Sequence, residues 1–157
     1  MEELKKLFIE LESEIINQQI LNPLVSKSSI GWHLEHVLLT MNLVIESIQK
    51  SNPENYKRRF NFNRILVFTL NKIPRGKVRA PKAVRPKEDF TADSLIIHFQ
   101  KGKINLEKLN TLSANNYFDH PFMGHLNLKA TIKFVKIHTK HHFNIIKDII
   151  ESKNQYN

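Results

Sequence analysis

Two histidines, His138 and His142, stand one helical turn apart in Lys136-Ile137-His138-Thr139-Lys140-His141-His142-Phe143. On a helix, positions i and i+4 share a face, with Cβ atoms about 5–6 Å apart. Two imidazoles so placed can both reach one metal ion, at roughly 2.0–2.1 Å from a zinc. A third histidine from another helix would complete three protein ligands and leave one position open. That is the layout of a catalytic rather than a structural zinc site. The segment is not a zincin motif, because Thr139 stands where the glutamate after the first histidine belongs.

The pair falls within an apolar stripe made by Phe134, Val135, Ile145 and Ile149, not opposite it. Imidazoles buried there need hydrogen-bond partners or a metal, since an unpaired buried polar group costs roughly 1–3 kcal/mol. Upstream, Trp32-His33-Leu34-Glu35-His36-Val37 offers two candidates for a third ligand. At ~100° per residue, His33 lies about 70° from the centre of that helix's apolar arc and His36 about 130°. Spacing therefore leaves the choice open, leaning towards His33. The plain alternative is that both bond to neighbouring carboxylates on a helix surface.

Four helices are predicted to position these residues. Leu4, Leu7, Phe8, Leu11 and Ile15 mark a first helix over residues 2–20, ended by Asn22-Pro23. Ser28 and Ser29 are suitable caps for a second, from about Ile30 to Lys50, whose wide apolar face implies deep burial. Residues 52–90 are broken by Pro74, Pro81 and Pro86 and read as a crossover with one short helix near 61–71. Thr91 can cap a third helix over 92–112, and 113–126 reads as a loop containing Asp119-His120-Pro121-Phe122-Met123-Gly124-His125. In that loop Phe122 is expected to pack inward, with His120 a lesser candidate for lining a pocket. Asn127 caps the fourth helix, which runs to about 151. No strand period is evident. The economical fold is all-α, a four-helix bundle in one domain over 1–157, and the long crossover permits the helices it joins to run parallel.

Composition narrows the function classes. No cysteine is present, which excludes cysteine ligands and a Cys–His nucleophile. Neither a Gly-rich phosphate loop nor a G-x-S-x-G elbow occurs. No apolar run approaches a membrane span and no signal peptide is evident, so a soluble cytoplasmic protein with no membrane role is expected. The net charge of +9 is concentrated: residues 57–87 hold eleven Lys or Arg and no acid, while the remainder is close to neutral. Such a segment is a solvated surface, a set of cations overhanging the pocket to receive an anionic small molecule or thiol, or a nucleic-acid contact. Nucleic acid is the least favoured of the three.

Taken together, Ser29-Ile30-Gly31-Trp32-His33-Leu34-Glu35-His36-Val37, His120-Pro121-Phe122-Met123-Gly124 and His138-Thr139-Lys140-His141-His142 resemble the DinB/YfiT-like metalloenzyme superfamily. Within it the chain is similar to an uncharacterised branch with an HP-aromatic-x-G loop before the last helix, and Gly76-Lys77-Val78-Arg79-Ala80-Pro81-Lys82 also resembles that branch. The resemblance implies a bundle with up-down-down-up connectivity. It assigns the metal ligands to His36, His138 and His142, and implies a divalent ion, zinc or nickel. By the same analogy the activity is metal-dependent hydrolysis or thiol-dependent S-transfer on a small-molecule substrate, with a low-molecular-weight thiol as co-substrate. Members often carry HRGQ-like residues after the last histidine; Phe143-Asn144-Ile145 stands there instead, so no role tied to that Arg or Gln transfers. The competing classes are a non-enzymatic stress or interaction protein, its metal structural or absent, and a nucleic-acid module using 57–87. A homodimer is the assembly that such a bundle suggests.

Overall fold

The computed structural model describes residues 1–76, 80–87 and 90–154. Lys77 and Arg79 of the basic segment, and with them part of the 76–82 stretch, lie outside the described residues. The described chain is mostly helical, with four long helices, one short one and a two-stranded hairpin.

Helix α1 (Glu2–Ser13) buries Leu4, Phe8 and Leu11, a 4-3 spacing that lines one face. It stops well short of residue 20 and continues as a 3-10 turn, Glu14–Asn17. Tertiary demand overrides the helical period here. The carbonyls of Gln18 and Ile20 accept from the N–H groups of Gly31 and Ile30. Those donors open the next helix and have no partner within it, so the chain must leave α1 to satisfy them.

Helix α2 (Ile30–Lys50) is capped by Ser29, whose hydroxyl accepts from the Trp32 N–H. It packs against both α4 (Ala92–Lys108) and α5 (Leu128–Asn154), and α1 packs against the same two helices. The core is one cluster drawn from all four, including Phe8, Leu34, Met41, Phe99, Leu106 and Ile146. Gly102 of α4 permits close approach: a Cβ there would lie 2.6 Å from both Met41 Cε and Phe8 Cζ. In the core Asn105 Nδ2 donates to Asn42 Oδ1 at 2.9 Å, whereas the buried hydroxyls of Thr40 and Thr139 have no hydrogen-bond partner among the described residues.

The crossover holds a short helix α3 (Phe62–Leu70), capped by Asn61 and ended by Asn71 in the left-handed region at φ 49°. A 3-10 turn, Lys82–Val84, follows. Thr91 caps α4 through a capping box with Ser94, as its sequence suggests.

The segment 113–126 is not wholly a loop. Strands β1 (Tyr117–His120) and β2 (Gly124–Asn127) form an antiparallel hairpin, with Asp119 opposite His125 and Phe118 opposite Leu126. Four residues per strand are too few to display an alternating period, which is why no strand signal stands out. Phe122 at its tip is 52% exposed, so the expected inward anchor is instead Met123, 4% exposed. Buried Asn116 ties the hairpin to the end of α2: its Nδ2 reaches Ile48 O, Ser51 O and Ser51 Oγ, and its Oδ1 accepts from Ser113. Asn127 then accepts from the Ala130 N–H and so starts α5.

Candidate metal centre

Packing of α2 on α5 brings His36 to His138 and His142. One ring nitrogen of each lies within 4.8 Å of the others, the single such grouping of metal-ligating side chains among the described residues. His36 and His142 are buried and His138 partly so. His36 Nε2 and His138 Nε2 are 3.2 Å apart. Two nitrogens at tetrahedral angles around one zinc would lie about 3.3–3.4 Å apart, so the observed spacing fits a shared ion.

The far sides of the His36 and His142 rings are fixed by hydrogen bonding. His36 Nδ1 lies 2.6 Å from the carbonyl of Val84, which can only accept, so that nitrogen carries the proton and Nε2 keeps its lone pair. Trp32, one turn earlier on α2, stacks on the His36 ring at 5.2 Å and 20°. His142 Nδ1 lies 3.0 Å from His33 Nδ1, and His33 Nε2 lies 2.9 Å from Ser26 Oγ. One proton arrangement satisfies this chain with His142 Nε2 left free: His142 Nδ1–H donates to His33, and His33 Nε2–H donates to Ser26. Partners of this kind set the tautomer and orientation of a ligating histidine.

His33 is therefore neither the third member of the cluster nor an unrelated surface residue. It backs His142, and spacing alone could not separate that role from ligation. The signal was its depth on the apolar arc, which marks burial and not coordination.

Burial lowers the basicity of all three imidazoles. His138 and His142 are held well below the ordinary histidine range, first by desolvation and then by neighbouring rings. His36 is also lowered by burial, with the Val84 hydrogen bond opposing. Desolvation brings His33 to about 4, with smaller contributions from His36, His141 and Arg75. The rings are thus neutral near pH 7, the state that metal ligation requires.

His141 packs edge-on to His142 at 5.0 Å and is only partly buried, outside the cluster. His120 lies on the inner side of the hairpin, edge-on to Phe134 at 4.6 Å, and Phe134 in turn packs on His138 at 5.8 Å. His120 thus approaches the centre through an intervening phenyl ring rather than by direct contact.

The described cations of the basic segment do not share one surface. Arg75 pairs with Asp148 at 2.7 Å, and its charge reaches His33 and His141. Lys82, Arg85 and Lys87 line a cavity of about 440 Å³ with Glu35 and His98, which pair at 2.9 Å. Lys57, Arg59 and Arg64 line another of about 540 Å³, to which none of the three clustered histidines contributes. No helix among the described residues is long and apolar enough to cross a membrane.

Fold and site together define a mostly helical protein with three close, inward-facing histidines able to hold a metal ion. Comparison with family models, with curated proteins and with solved structures finds no match to this chain.

Proposed function

We propose that this chain is a DinB-like metalloprotein, a four-helix bundle of up-down-down-up connectivity whose His36, His138 and His142 hold a divalent ion, zinc or nickel. On this reading it is a soluble cytoplasmic enzyme, a metal-dependent hydrolase or a thiol-dependent S-transferase acting on a small molecule. The observation that carries the proposal is the convergence of three ring nitrogens from α2 and α5 within 4.8 Å. The order and spacing of the W-x-x-x-H, HPFMG and H-x-x-x-H motifs add the family analogy, which bears on fold more than on substrate.

When bound, such an ion supplies Lewis acidity, lowering the pKa of a water or thiol and polarising a substrate oxygen. The chain's own contributions are separate. Val84 and His33 hold His36 and His142 in the required tautomers. Burial excludes water from the rings and keeps them unprotonated. Trp32 covers the face of His36 and limits the directions in which its ring can move.

A second reading has an observation of its own. Without an ion, His138 Nε2–H can donate to His36 Nε2 across the 3.2 Å contact, so these two rings have a partner in each other without a metal. A non-enzymatic interaction protein would need no more than that. Elemental analysis of protein purified without an affinity tag separates the two. About one ion per chain, lost in His142→Ala, is the result expected here. Ion-free wild-type protein that takes up neither zinc nor nickel in equilibrium dialysis would refute the metal reading.

A further inference from the structure

On the outer side of the hairpin lies the cavity of about 540 Å³, within the size range of small-molecule sites. Its walls are Tyr117, Asp119 and His125 from the strands, and Lys57, Arg59, Phe60, Asn61 and Arg64 from the crossover. Strand alternation separates it from the histidine cluster: Phe118 and His120 face Phe134 on the inner side, while Tyr117 and Asp119 face out.

The charge here is built in. Arg64 is part-buried, and its guanidinium donates to the backbone carbonyls of His125 (3.2 Å) and Arg59. Those acceptors fix its position without cancelling its charge. Among the described residues, none of Lys57, Arg59 and Arg64 has a carboxylate within ion-pair distance. Three cations thus face one acid, Asp119, across a recess where the field is less screened than on open surface.

Flat aromatic surface accompanies the charge. Tyr117 and His125 stack at 4.1 Å and 19°, and the Lys57 N–H donates to His125 Nδ1, which holds the imidazole against the phenol. Phe60, also in the lining, is 82% exposed, a large apolar side chain left uncovered beside the cations. A ligand that satisfies both features carries an oxyanion for the cations and a planar group for Phe60 and the Tyr117–His125 pair.

We propose that this cavity is a binding site for a small phosphate monoester bearing an aromatic or other planar group. A phosphate dianion matches the excess of cations better than a single carboxylate does, and arginine meets it through two parallel N–H donors. The inference is independent of the metal reading, because the two sites lie on opposite sides of the hairpin.

The test is titration of the full chain with phenyl phosphate, phenol and inorganic phosphate, followed by NMR shifts and calorimetry. Phenyl phosphate is expected to bind with a Kd of about 1 mM or tighter, and phenol not to saturate. The double variant Lys57→Gln/Arg59→Gln should weaken binding roughly tenfold or more, through loss of two charge-assisted contacts. Asp119→Asn, which removes the one carboxylate from the lining, should strengthen it severalfold. His142→Ala should leave it unchanged, whether or not that variant holds metal. Absence of saturable binding, or equal affinity for inorganic phosphate, overturns the assignment. So does binding that survives in the double variant and disappears in His142→Ala, which would put the phosphate at the histidine cluster.

Discussion

Acidifying the metal-free protein should destabilise it through His120. Burial holds this imidazole at about 4, below its ordinary 6.5, even though Asp119 beside it and a backbone hydrogen bond pull the other way. Between those two values the unfolded chain binds a proton that the folded chain refuses. Stability therefore falls as the pH drops through this window, and the contribution is fully present only above the unfolded value. The gap of about 2.5 units corresponds to about 3 kcal/mol at 1.36 kcal/mol per unit. Part of the ring remains in contact with water, which reduces the figure to about 2–3 kcal/mol. His120 Nδ1 accepts from the Phe122 N–H at 3.1 Å, so a replacement must keep an acceptor there. Asparagine places its carbonyl oxygen close to that position and does not titrate. Urea unfolding of chelator-treated wild type and His120→Asn at about pH 7 and about pH 4 makes the comparison. Wild type should lose about 2–3 kcal/mol more than the variant over this interval. An equal loss in the two proteins would refute the assignment of this proton linkage to His120.

Three other outcomes are expected. His33→Ala should weaken zinc binding about 10–100-fold in chelator competition, because His142 loses the partner that sets its tautomer. Asn116→Ala should cost about 2–3 kcal/mol in denaturant unfolding, since the side chain joins the hairpin to both Ile48 and Ser51. Gly102→Ala should lower thermal stability by about 1–3 kcal/mol, its Cβ having no space between Met41 and Phe8.

The helices were legible because each announces itself locally. Ser29, Thr91 and Asn127 all act as the caps their positions suggest, and the 3.6-residue periods of α2 and α5 coincide with buried faces. The end of α1 was not legible, because it is set by N–H donors of Ile30 and Gly31, far along the chain. The hairpin was hidden for another reason: its pairing is short, and Asn116 and Met123 support it through contacts that no period encodes. At the centre, the i,i+4 relation of His138 and His142 follows from helix geometry alone. The choice of His36 over His33 depends on Val84 and Ser26, whose positions relative to α2 are products of the folded crossover and the preceding turn. Charge density in 57–87 was plain, yet its division among two cavities and an ion pair is a matter of chain path.

The acceptor for His36 Nδ1 comes from a residue 48 positions downstream, and this ties two distant events together. A cation drawing electron density from the inner nitrogen makes the opposite N–H a stronger donor and tightens its grip on the 82–84 turn. Loading the histidines should therefore protect that stretch of backbone from proteolysis. Cutting the chain there should, by reciprocity, loosen whatever the histidines hold.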